Sequence, residues 1–396
     1  MDRANVDERF RLEYDAATYR RLIAGKEVII HCHHYNSRIQ NTIEGASRID
    51  GKKIISSSAE AVFSEQLRST FRPTDSKEVR WQLASALYAH LGYGNLDFSR
   101  VQEGRVSASS SHFVEGWNAG FPGRGEPVCS FSEGYIQGAV HAITGEPVFA
   151  REEQCMVTGA PACTFAIARD RKEAMTENKK QRFEFTPRAA DGFVHSPNID
   201  ERKIIDALVQ MPVHGNVDGL IPAFGVYLAN TPADFYNLVC IRFVEEMTKN
   251  GLFGAAKKLL VFDAETCGMN TFRGIMSSAE WEGLVAPMVK VPEDNFYGIL
   301  AISNGLGWGN WHVREHVPGK SVKLESLNGY EALGFRELRG VSDSPQCFML
   351  TGVAAGIMEL VYGEGSIEER FGTYQSVERQ CVCHGAASCI FDVQRT

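Results

Sequence analysis

The chain has 396 residues, a formal charge of -8 and a hydrophobic content of 44%. That length exceeds what one hydrophobic core sustains and predicts two domains of roughly 150 to 200 residues, while the acidic balance lacks the overall basic field that direct nucleic-acid or anionic-membrane binding draws on. The opening MDRANVDERFRLEYD has no apolar signal core and no run of about 18 apolar residues follows, so a cytoplasmic protein is expected, whose ten cysteines are thiols or metal ligands rather than a disulfide framework.

Residues 1–27 read as an N-terminal arm. The stretch IIHCHHYN then sets His31, Cys32, His33 and His34 side by side. In a strand His31 and His33 would share one face, as a pocket wall or as two converging ligands. Further on come SSAE at 57–60, the LGYGN turn at 91–95 and the aromatic residues Tyr93, Phe113, Trp117 and Tyr135, which could line a pocket, as could Trp308, Tyr330 and Phe335 later in the chain. SEGYIQGAVHAITGEP carries Ile136, Val140 and Ile143 on one helical face, with Gly145 where a left-handed cap belongs and Pro147 beyond it. TFAI follows as an edge or terminal strand. Residues 169–222 are polar and lack a clean apolar period, which marks a linker; within it Ile204, Leu208 and Met211 predict a short helix.

From residue 223 the pattern starts again. HYNSRIQNTIE has its counterpart in FYNLVCIRFVE, SSAE recurs at 277–280, LGYGN becomes LGWGN at 306–310, and TGVAAGIMELVYGEG repeats the helix. Matches in the same order at offsets of 201, 220 and 215 residues argue for a duplication, with repeats at 28–168 and 223–396. The predicted class is α+β, each repeat setting helices on an antiparallel sheet. PGKS at 318–321 fails as a phosphate loop because Arg314 stands where the first glycine is required, and the GYGN and GWGN turns lack the third glycine of a dinucleotide fingerprint.

Both repeats close on the same device. Cys129, Glu152, Cys155 and Cys163 in the first, and Cys347, Glu378, Cys381 and Cys389 in the second, obey Glu-x-x-Cys-x(7)-Cys with a more distant upstream cysteine. Three thiolates and a carboxylate complete a tetrahedral shell, for zinc first, with iron as the competitor. Gly159 and Gly385 sit midway between the close cysteines, where a positive φ would fold the chain back. Four anionic ligands on a dication leave a shell near -2 with no open position, which is a structural staple rather than a Lewis acid. Cys383 lies close enough in sequence to compete as a ligand.

EPVCSFSEGYIQG followed by EEQCMVTGAPACTF resembles the 4-vinyl-reductase-type small-molecule-binding domain, a family that includes the sensor domains of bacterial activators responsive to phenols and related aromatics. The resemblance is firmest over 112–168 and 328–394. It implies two zinc ions per chain, each zinc lobe buttressing a buried pocket for an aromatic or apolar molecule, and a tendency to form homodimers. Other members are linked to bacteriochlorophyll synthesis. The activators carry an ATPase and a DNA-binding segment after the sensor, and no such segment follows the second repeat here. The expectation is therefore a tandem sensor or carrier, with the first repeat, through His31 and His33, as the binding half. The alternative is an enzyme of tetrapyrrole or specialised metabolism with its site in the first repeat alone.

Overall fold

The computed structural model of the chain describes residues 8–181, 183–187 and 192–396. From Leu12 onward the first half runs β1 (Leu12–Asp15), β2 (Arg20–Ile23), β3 (Lys26–Cys32), α1 (His33–Gly45), α2 (Gly51–Thr70), α3 (Lys77–His90), β4 (Gly94–Asp97), β5 (Arg105–Ser111), α4 (His112–Gly120), α5 (Ser130–Thr144), β6 (Phe149–Gln154) and β7 (Cys163–Ala168). The connecting helix α6 (Glu201–Gln210) leads to β8 (Ile221–Ala223), β9 (Val226–Pro232), α7 (Ala233–Lys249), α8 (Phe253–Met276), α9 (Ala279–Leu284) and α10 (Pro292–Gly305). The second half ends with β10 (Trp311–Val317), β11 (Ser321–Ser326), α11 (Tyr330–Arg339), α12 (Phe348–Tyr362), α13 (Ile367–Arg370), β12 (Tyr374–Gln380) and β13 (Cys389–Arg395).

The α+β expectation holds. Each half owns a four-stranded antiparallel sheet, β4-β5-β7-β6 in the first and β10-β11-β13-β12 in the second. The predicted faces form as the periodicity requires: Ile136, Val140 and Ile143 of α5 are buried, as are Val353, Ile357 and Leu360 of α12. Gly145 closes α5 at φ +77°, whereas Gly363 closes α12 in an extended conformation. In the connection the expected helix is present, with Ile204 and Leu208 buried.

A third, five-stranded sheet, β1-β2-β3-β9-β8, joins the halves. The N-terminal arm is thus part of a sheet, contributing β1 and β2. At its centre β3 and β9 pair antiparallel with Ile30 opposite Asn230. The Ile30 N–H donates to Leu306 O at 3.0 Å, and the Asn230 N–H donates to Leu91 O at 2.8 Å. Each strand therefore docks on the LGYGN or LGWGN turn of the opposite half, an exchange about a local pseudo-two-fold axis.

The helix pairs α2/α5 and α8/α12 repeat the same close packing. A Cβ on Gly134 would collide with the Ser56 carbonyl and Ala59, and one on Gly352 with the Val261 carbonyl and Ala264. These contacts equate Ala59 with Ala264, not with Ala279. The SSAE match is thus a coincidence: Ser57–Glu60 lie inside α2, but Ser277 ends α8 and Ser278 caps α9. Packing, rather than letter identity, sets the equivalence.

Because the backbones touch at these glycines, Gly134→Val and Gly352→Val should each destabilise the chain by about 2 to 3 kcal/mol in urea unfolding, as overpacking does. Gly274→Ala, in a helix with nothing within 4 Å of the added carbon, should instead raise the unfolding midpoint, by about 0.5 to 1 kcal/mol.

Candidate metal centres and binding cavity

The eight predicted ligands converge as two sets. In each, one ligand atom per residue lies within 4.8 Å of the others: Cys129, Glu152, Cys155 and Cys163, and Cys347, Glu378, Cys381 and Cys389. Cys129 and Cys347 are the residues just before α5 and α12, so the positive helix ends face their sulfurs. Glu152 and Glu378 sit on β6 and β12, and the remaining cysteines border the short turn that opens β7 or β13. Gly159 at φ +89° and Gly385 at φ +95° make that turn.

The spacing fits a tetrahedral cation. Sγ–Sγ separations are 3.8 Å for Cys129–Cys163 and 3.9 Å for Cys155–Cys163, and 3.8, 3.7 and 3.9 Å among Cys347, Cys381 and Cys389. A metal–sulfur bond of about 2.3 Å gives a tetrahedral edge of about 3.8 Å. One oxygen of each glutamate accepts the N–H of the upstream cysteine, at 2.8 Å for Glu152 and 3.0 Å for Glu378. The other oxygen, Oε1 in both, is buried without a protein partner. Met156 N–H and Val382 N–H each donate to a sulfur, on Cys163 and Cys389, at 3.4 Å. Burial, followed by the charge of Cys155, pushes Glu152 up to about 8, and burial followed by Cys381 pushes Glu378 to about 9. Four ligands of this kind share a buried place as anions only when a cation offsets them. Each set could hold a metal ion, and Cys383, 3.1 Å from Cys381 between sulfurs, stands beside the second set without belonging to it.

The histidines form no such set. β3 ends at Cys32 and His33 opens α1, so His31 and His33 do not share a strand face. His31 stacks between Tyr35 and Trp308 at 4.4 and 4.8 Å, with Tyr236 edge-on, and burial pushes it down to about 3. Its ring is neutral packing. His33 accepts the Tyr227 N–H at 3.1 Å and is pushed by burial down to about 4.

The aromatic residues expected around a first-half pocket are also packed together. Tyr93 and Phe113 flank Phe131 at 4.5 and 4.6 Å, Tyr135 lies 4.8 Å from Phe63, and the Arg124 guanidinium covers Trp117 at 4.2 Å. The void beside Phe113 is about 10 Å³, less than a water needs. A cavity of about 390 Å³ opens instead in the second half, between α7, α11 and the start of α12, with Asn237, Cys240, Ile241, Val244, Phe335 and Phe348 among its walls. Sequence reasoning reached only Phe335 of these. The signal was available: Cys240 and Val244 occupy the places of Ile39 and Ile43 in the matching helix, and are smaller.

Residues 117–169 match the 4-vinyl-reductase domain family. The match runs from α4 to the end of β7 and takes in all four ligands of the first set. Among solved structures, the phenol-responsive sensory domain of the transcription activator PoxR with phenol is similar at 15% identity, covering 42% of this chain and 89% of that one, with a TM-score of 0.35. No curated protein matches significantly.

Metal analysis should find Cys155→Ser short of the equivalent belonging to the first set and Cys381→Ser short of that belonging to the second, each variant keeping the other. Loss of both from one substitution would contradict two independent centres.

Proposed function

We propose that the chain is a tandem zinc-stapled ligand-binding protein of the 4-vinyl-reductase type, a sensor or carrier for a small aromatic or apolar molecule, with repeats at 28–168 and 223–396. The observation that carries the reading is the doubled ligand set: the same four residue types converge in both halves, each tying the start of a long helix to the hairpin that closes its sheet. Such a site contributes folding free energy, about 10 kcal/mol or more for structural zinc. It has no position left for a substrate, so it holds the scaffold and leaves recognition to the interior.

Zinc suits three sulfurs and one oxygen in tetrahedral array. A mostly apolar cavity with few polar groups is the kind of place where shape selects a small molecule. The homodimer implied by the resemblance would add a second chain to halves already paired through β3 and β9, and a cytoplasmic setting would keep the thiols reduced.

Native mass spectrometry with metal analysis tests this reading. The expected result is two zinc ions per folded chain, removed by a strong chelator only with loss of the far-ultraviolet signal. Fewer than one equivalent of metal in a fully folded sample would overturn it.

A further inference from the structure

The second-half cavity carries a feature that its counterpart lacks. Gly116 and Gly334 lie 13 and 13 residues before Cys129 and Cys347, which equates α4 with α11, and the shared Tyr-Asn equates α1 with α7. Asn36 and Asn237 are then equivalent. In the first half Asn36 is fully engaged: its Nδ2 lies 2.8 Å from His112 Nε2, and its Oδ1 accepts the Tyr236 hydroxyl at 2.6 Å. In the second half both partners are lost. Tyr330, in the place of His112, turns its hydroxyl to Met349 Sδ at 3.5 Å. The Tyr35 hydroxyl, in the place of Tyr236, is buried without a partner.

Asn237 is 5% exposed and forms part of the cavity wall, and none of the hydrogen bonds among the described residues involves its side chain. The amide lies against Gly334, which has no Cβ to displace it. Glu331 is one turn earlier on the same face of α11 and also lines the cavity. Its two oxygens accept the Met349 and Leu350 N–H groups at 3.0 and 2.9 Å, which fixes the carboxyl at the head of α12. Burial pushes this group up to about 8, which disfavours both an ammonium and a second carboxylate as its neighbour. Ile241, Val244, Phe335 and Phe348 supply apolar wall, and Phe253, 39% exposed, stands at the rim with Thr248 and Lys249.

We infer that this cavity, and not the aromatic interior of the first half, is the ligand site, and that it takes a neutral apolar molecule bearing a hydroxyl group, held by the Asn237 amide and the Glu331 carboxyl. This rests on the ligand-binding reading above and assigns it to one half. A hydroxyl both donates and accepts, so it satisfies an amide that offers both functions and a carboxyl in either protonation state. The apolar walls bury the rest of the molecule. In the first half, Ile39 and Ile43 replace the smaller Cys240 and Val244, Trp117 replaces Phe335, and Gln40 spends its amide on Val128 O at 2.6 Å. The equivalent space is filled.

The test is fluorescence titration of the full metal-loaded chain with 1-naphthol and with naphthalene, which lacks the hydroxyl. Wild type should bind 1-naphthol more tightly. Asn237→Leu, close in shape, should weaken 1-naphthol about tenfold while leaving naphthalene within about threefold, the pattern of one lost buried hydrogen bond. Val244→Trp should abolish binding of both probes, with metal content and melting temperature as controls; if that variant does not fold, Ile241→Trp fills the same wall. Binding by wild type that persists in the Trp variants would overturn this site and leave the ligand-binding reading standing. Binding of neither probe by wild type would count against both. Equal loss of the two probes in Asn237→Leu would overturn the role of the hydroxyl.

Discussion

Two buried knots of sulfur and carboxylate hold the halves in shape, and most of the architecture can be read outward from them. Each knot requires four groups that water would otherwise solvate to meet in the interior, a demand met when a cation offsets their charge. To bring them there, a helix must begin at one cysteine, a strand must carry the glutamate, and a left-handed glycine turn must return the chain to the last two sulfurs. The long helix is thereby pinned to its sheet at one end. Its glycines then let it lie directly on the neighbouring helix, with Gly134 against Ser56 and Gly352 against Val261.

A second constraint acts between the halves. Strands β3 and β9 pair across the pseudo-two-fold axis, and each satisfies a backbone carbonyl of the opposite half's turn, at Leu306 and Leu91. His31 belongs to this junction: it is a neutral ring stacked on Trp308 from the other half. The duplicated halves are therefore interlocked through their N-terminal strands, and the hydrophobic core is continuous across both. Such interlocking leaves each half free to diverge in its interior while the staples and the junction stay alike.

Divergence has gone furthest at the ends of α1 and α7. The first half fills its interior with interlocking aromatic rings and an Asn36 whose amide is engaged at both ends. The second half substitutes smaller side chains at two positions and frees the matching asparagine, so a cavity remains. A duplicated fold needs only a few such exchanges to separate a scaffold half from a binding half, because shape and one or two polar groups decide occupancy.

The duplication, the α+β class and the eight cysteines and glutamates that converge were legible in the sequence, because spacing along the chain is enough to specify them: a glutamate three residues before a cysteine, a glycine midway to the next, and an apolar face before both are local facts repeated twice. The sequence likewise carried the burial of Ile136, Val140 and Ile143, which follows from the helical period alone. Tertiary structure decided the rest. His33 leaves the strand face of His31 because the helix begins there, the SSAE segments prove unrelated because packing against glycine sets the true register, and the arm before residue 28 becomes two strands of the shared sheet. The cavity belongs to this second group. Whether Asn237 is engaged or free depends on which residues face it from α11 and from the other half, and those contacts join positions about 100 and 200 residues away, which no local pattern reports.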